Sequence, residues 1–75
     1  MKKVEIKYFK EKNQERMKFV QILNEFGIGV GLRKAKLLMD EMLDGYPIQI
    51  YVSNDDFPQF TYFLSTLNLE FESID

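Results

Sequence analysis

The chain is 75 residues long, 45% hydrophobic, and carries a formal net charge of −2. This length allows one domain, residues 1–75, with one modest core. The acidic balance argues against binding to nucleic acid or to an anionic membrane. No apolar run reaches the roughly 18 residues that a membrane helix needs, and the first residues alternate in polarity instead of forming a signal-peptide core.

The sequence contains neither histidine nor cysteine. The usual general base near neutral pH, the thiol nucleophile and the commonest metal ligands are therefore missing. We expect a cytoplasmic protein that uses no cofactor and catalyses no reaction. A hydrolase that holds a metal through carboxylates is the enzyme hypothesis left open, although neighbours such as Asp40 and Glu41 diverge by about 100° on a helix.

The first strand and the first helix follow from hydrophobic spacing. Val4, Ile6 and Tyr8 alternate with polar residues, which predicts a strand. Phe9 breaks the alternation, so it either covers part of the outer sheet face or marks a bend. A polar turn is expected at residues 10–14, and a helix over residues 14–26, ended by Gly27 in the left-handed conformation. The positions expected to face inward on this helix are Met17, Phe19, Val20, Ile22, Leu23 and Phe26.

A second helix is predicted over residues 32–43, after Gly29 and Gly31. We expect a positive φ angle at Gly31, and we expect Leu37 to be exposed. Cations near the N-terminus of this helix oppose its dipole at a cost of some tenths of a kcal/mol each, which is a modest indication of function. The break at residues 44–47 ends the helix. The positions expected to face inward are Leu32, Ala35, Leu38, Met39 and Met42.

The last three elements complete the fold. Alternation over residues 48–52 predicts a second strand. Residues 53–56 are rich in capping types and predict a third helix through about Leu67, with Asp55 or Asn54 as its cap. Alternation over residues 69–73 predicts a final strand. The expected fold class is a two-layer α/β (α+β) domain in the order β-α-α-β-α-β, with a three-stranded antiparallel sheet and three helices on one face.

The glycine-rich stretch before the second helix does not fit a nucleotide-binding loop. Its spacing is G-x-G-x-G, it follows a helix, and no Ser or Thr follows Lys34. A sharp corner between two helices explains the glycines, and such a corner can also serve for protein docking. Cations there would attract an acidic partner, around an apolar centre supplied by Val30 and Leu37 if both are exposed. A merely solvated cationic helix face is the open alternative. The candidate partner-binding residues are Val30, Gly31, Arg33, Lys34, Lys36 and Leu37.

The outer face of the sheet offers a second candidate surface. Acidic and aromatic side chains are expected to meet there, as on the binding face of an inhibitor or immunity-type protein. The same face could join two copies in a weak homodimer, with a monomer as the alternative. The residues expected on this face are Glu5, Lys7, Phe9, Gln49, Tyr51, Glu70 and Glu72.

Residues 29–36 read G-V-G-L-R-K-A-K and resemble the G-L-G-L-K-E-A-K signature of the C-terminal domain of the bacterial ribosomal stalk protein. Residues 52–56 resemble the V-S-x-D-D that opens the last helix of that domain, and the order of elements is the same. In that family the domain is a docking module that recruits translational GTPases through basic and apolar residues on its first two helices. The resemblance implies that this chain is a stand-alone relative of that module, with neutral or acidic residues around Gln21, Asn24 and Glu25 in place of the family's cations on the first helix. Carried over by position, the signature's apolar loop residue is Val30, its leucine is Leu32, and its lysines match Arg33 and Lys36.

A second resemblance concerns residues 54–57. Their sequence, N-D-D-F, is similar to a run in the adaptor of the bacterial Clp protease, which has the same fold and captures destabilising N-terminal residues. A peptide-binding function is therefore a further alternative.

Overall fold

Three helices and three strands follow one another in the predicted order. A computed structural model of the protein describes residues 1–10 and 15–74, so most of the turn expected at residues 10–14 lies outside the described residues. The elements are β1 (Lys2–Phe9), α1 (Arg16–Phe26), α2 (Gly31–Leu43), β2 (Ile48–Val52), α3 (Phe57–Thr66) and β3 (Leu69–Ser73). No helix in this part of the chain combines the length and the apolarity needed to cross a membrane.

The sheet is antiparallel, with β1 in the centre and the strand order β2-β1-β3. This confirms the expected fold class. Alternate side chains of each strand point to one face, where they meet the helices in a single core. The strand residues buried in that core are Val4, Ile6, Ile48, Ile50, Val52 and Leu69.

A β-bulge in β1 explains why Phe9 breaks the alternation. Ile6 pairs with Phe71 and Tyr8 pairs with Glu70, so β1 contains one more residue than β3 over this interval. The extra residue reverses the parity of the strand beyond it. Tyr8 is therefore exposed, whereas Phe9 packs against the core, where its ring meets that of Phe19 edge-on at 5.5 Å. Of the two alternatives for Phe9, the bend in the strand is confirmed and the place on the outer sheet face was wrong. The alternation with Val4 and Ile6 also implied an inward Tyr8, and that was wrong.

The first helix buries most of the predicted stripe. Phe19 and Leu23 are fully buried, together with Val20 and Phe26. Met17 is an exception, because its side chain is 75% exposed. It lies in the first turn of α1, where the helix begins at Arg16.

The third helix begins without the cap that the sequence predicted. Neither Asn54 nor Asp55 caps it; instead the backbone N–H of Asp56 donates a hydrogen bond to Oγ of Ser53 at 3.2 Å. Asp56 precedes Phe57 and Pro58, the first two residues of α3, and its own side chain makes no capping bond. The serine hydroxyl thus stabilises the turn that leads into the helix.

The bulge predicts opposite effects for two neighbouring substitutions. Phe9→Ala removes a ring that packs on the core and should lower the free energy of unfolding by about 2 kcal/mol. Tyr8→Ala removes an exposed ring and should change it by less than about 0.5 kcal/mol. Urea denaturation of both variants measures the difference, and an equal or larger cost for Tyr8→Ala would show that the strand has no bulge.

Candidate partner-binding surface

The glycine corner, residues 27–31, connects α1 to α2 and begins with a close packing contact. Gly27 ends α1, as predicted, but its φ of −70° is not left-handed, so the expected reason was wrong. A Cβ atom added to Gly27 would meet Cγ2 of Val30 at 2.5 Å and the carbonyl oxygen of Leu23 at 2.6 Å. Glycine is required here because there is no space for a side chain.

The corner is attached to the rest of the fold at two points. The Val30 side chain is only 8% exposed and belongs to the hydrophobic core. The N–H of Ile28 donates a hydrogen bond of 2.8 Å to the carbonyl oxygen of Tyr51 on the edge strand β2. The expectation that Val30 is exposed at the centre of a docking site was therefore wrong. Val30 instead anchors the corner to the core.

Two glycines in the corner adopt dihedral angles that favour glycine. Gly29 has a φ of 72° and Gly31, the first residue of α2, has a φ of 69°, which confirms the expectation for Gly31. An L-residue at either position would be strained. These two reversals let the chain leave α1, bury Val30 and start α2 within a few residues.

The first two turns of α2 expose both apolar and cationic side chains. Leu32 is 51% exposed, contrary to its predicted place in the core, and Leu37 is 58% exposed, as predicted. Together with Arg33 and Lys36 they line a shallow groove of about 490 Å³. We define the α2 face as Leu32, Arg33, Lys34, Lys36 and Leu37.

A second groove, of about 420 Å³, runs between α1 and α2. Leu32 borders it from α2, and the exposed Met17 borders it from α1, with Val20 and Met39 also in its lining. The groove is mostly apolar, and its charged lining residues are Arg16, Lys36 and Asp40. Hydrophobic spacing did not predict this groove, because it placed Met17 and Leu32 in the core. Their places in the first turns of adjacent helices are what bring them together.

The cations of the α2 face form no ion pair with the described part of the chain. The ion pairs among residues 1–10 and 15–74 join Lys7 to Glu72, Lys10 to Glu70 and Lys18 to Glu15. No ion pair in these ranges involves Arg33, Lys34 or Lys36. Asp40 lies one turn beyond Lys36, yet the two form no ion pair. All three cations are exposed, so their charge faces the solvent.

The outer sheet face is less acidic than its sequence suggests. Glu72 lies 3.5 Å from Lys7, and Glu70 lies 3.5 Å from Lys10. The Lys3 ammonium group lies 5.6 Å from the centre of the Tyr51 ring. With Phe9 turned to the core, the exposed aromatic rings here are Tyr8 and Tyr51. The face is a mixed, largely paired surface of the kind that an open antiparallel sheet presents to water.

The remaining candidate groups have local structural roles. In the described part of the chain, no three His, Cys, Asp or Glu side chains are placed to share a metal ion. The run at residues 54–57 forms the entry to α3, where Phe57 is half-buried against the core. None of the grooves described above is lined by a residue of this run.

No family model matches the chain, and comparison with curated proteins and with solved structures finds no match. The resemblance to the stalk C-terminal domain therefore stays a prediction based on short motifs. The order of elements alone does not determine function, because one fold can carry many unrelated sites.

The packing of the corner can be tested through Gly27. Gly27→Ala should lower the free energy of unfolding by about 1–3 kcal/mol, because the new methyl group overlaps Val30 and the Leu23 carbonyl. In a Val30→Ala background the cost should be smaller by about 1 kcal/mol, since the nearest methyl group is gone. A double-mutant cycle by urea denaturation measures this coupling, and strictly additive costs would contradict the contact.

The exposure of Leu32 makes a second prediction. Leu32→Asp should leave the domain folded and change the free energy of unfolding by less than about 1 kcal/mol. Ala35→Asp, three residues further along α2, buries a charge at a fully buried position and should cost more than about 3 kcal/mol. Circular dichroism in urea compares them, and unfolding of Leu32→Asp would show that Leu32 belongs to the core.

Proposed function

We propose that this protein is a small non-enzymatic interaction module that docks a protein partner through its glycine corner and α2. The docking surface is the α2 face, bordered by Gly31 and by Met17 across the groove. The observation that supports this best is the set of three cations that make no ion pair with any described residue, beside two half-exposed leucines. An exposed apolar centre rimmed by charge is typical of a protein-binding surface.

The charge order of α2 strengthens the proposal. Arg33 and Lys34 lie near its positive N-terminus, whereas its last turn has no basic residue and is followed by Asp44. The charges at both ends of α2 oppose the helix dipole, at a cost of a few tenths of a kcal/mol for each charge. Selection for stability alone would reverse this order. A requirement for cations at the start of α2 accounts for this order.

The partner that fits this face has an acidic surface with an apolar projection. Cations on a rim mainly accelerate the encounter and select the partner, while the buried apolar contact slows dissociation. A translation-related partner, such as a GTPase, is the specific form of the proposal, and it rests on the sequence resemblance alone. The absence of histidine and cysteine favours a binding function over catalysis and is in keeping with a cytoplasmic location.

Charge reversal tests the proposed face. Arg33→Glu with Lys36→Glu should leave the fold intact, because both side chains are exposed, and should weaken capture of a specific partner by about tenfold or more. The measurement is affinity capture with quantitative mass spectrometry, followed by titration of the protein that wild type enriches. Capture should also weaken between about 50 and about 500 mM salt.

The matched control makes the same change in net charge on the other side of the sheet. Lys7→Glu with Lys10→Glu should retain capture, because both lysines belong to the outer sheet face and its edge. Loss of capture in the control together with retention in the α2 variant would place the docking site on the sheet and reject the proposal.

A further inference from the structure

The third helix differs from the other two because none of its ten residues, Phe57–Thr66, carries a charge. On this helix Tyr62 is 64% exposed, and its ring lies 5.9 Å from that of the half-buried Phe63. Depletion of charge together with accessible aromatic rings distinguishes the centre of protein interfaces from the remaining surface. The composition of α3 therefore suits a helix that lies in a protein interface.

Beside α3 lies a groove of about 480 Å³ that is separate from the α2 face. Ile22 of α1, Phe63 of α3 and Leu67 form its apolar part. Phe63 is held by Phe26, whose ring centre is 5.9 Å away, so the apolar wall is supported by the core. This wall is suited to a side chain such as leucine.

The lining of this groove carries more acidic than basic charge on the α1 side. Glu15 and Glu25 both line it, and the lysine that also lines it, Lys18, is paired with Glu15 at 3.2 Å. Glu25 makes no ion pair within the described ranges. It lies in the last turn of α1, which contains no basic residue, so the dipole of the helix adds to its negative potential. We call this site the acidic groove.

The acidic groove and the α2 face are complementary in charge and in apolar content. They cannot meet within one molecule, because the groove lies between α1 and α3 whereas the face belongs to α2 on the other flank of α1. Two copies could not pair through their α2 faces either, since three cations would then oppose three cations. A contact between unlike surfaces of two copies avoids both difficulties.

We propose that a second copy of this chain docks its α2 face into the acidic groove, with Lys36 against Glu25 and Leu37 against Phe63. The contact is heterologous, so repetition produces a ring or an open chain of copies. It does not depend on the proposed partner. It covers the same α2 face, so self-association and partner binding compete, and dilution or partner binding releases the face.

Sedimentation velocity tests the contact with two charge reversals, Glu25→Lys and Lys36→Glu. Wild type should sediment as species heavier than a monomer at about 500 µM protein and about 20 mM salt, and as a monomer at about 500 mM salt. Each variant alone should remain a monomer at low salt. An equimolar mixture should associate again, because the reversed charge at position 25 of the first variant attracts the reversed charge at position 36 of the second, while the native pair of Lys36 and Glu25 forms at the other contact.

Controls place the same charge changes on the outer sheet face. Glu72→Lys and Lys7→Glu should both associate as wild type does, and circular dichroism should show all the variants folded. A monomeric wild type at high concentration and low salt would overturn the proposal. A mixture that fails to associate would also overturn it, as would control variants that lose association to the same extent. Association that only Tyr51→Arg abolishes would indicate a dimer formed through the sheet face instead.

The two proposals fail separately. Glu25→Lys changes only the acidic groove, so it should abolish self-association and leave partner capture intact. If Glu25→Lys also loses partner capture, partner binding lies at the groove. If both proposals hold, capture is lost only when Arg33 and Lys36 of α2 are reversed.

Discussion

The burial of Val30 is the constraint on which the surface of this domain depends. Five residues turn the chain from α1 into α2, and Val30 in their midst enters the core while the N–H of Ile28 bonds to the edge of β2. The glycines at either side make this possible, by leaving space at Gly27 and by accepting positive φ angles at 29 and 31. A corner fixed at two points determines the direction in which α2 starts and the side chains that its first turn exposes.

That orientation separates the helix surface into two chemically different regions. The start of α2 projects cations and leucines. The far side of α1 carries Glu25 and a Glu15 that is paired with Lys18, and α3 carries no charge. Neither region is explained by stability. The cations oppose the dipole of α2, and Glu25 opposes that of α1. The exposed apolar side chains do not gain the full stabilisation that burial would give. Both regions are surfaces that we propose bind another molecule.

Hydrophobic periodicity was enough to predict all six elements and their order. The spacing of apolar residues is repeated along a whole helix or strand, so one irregular position does not remove the pattern. It failed where a single local feature changes the direction of a side chain. One extra residue in β1 places Tyr8 in solvent and Phe9 against the core. At the corner Val30 is buried, whereas Leu32 is exposed. The candidate site was accordingly only partly predictable: the cations and Leu37 follow from helical spacing, but the groove between Met17 and Leu32 depends on how two helix starts are placed in three dimensions.

Amide hydrogen exchange at Ile28 tests most directly whether the corner is fixed to the fold. Its N–H lies in a connecting segment, and an unattached connection exchanges by local fluctuation at a rate close to that of a free peptide. We predict that the Ile28 amide exchanges only through opening of the β2 edge, with protection comparable to that of the buried β2 residues. Exchange as fast as in an exposed loop would mean that the corner moves independently of the sheet and that the orientation of the α2 face is not determined by the core.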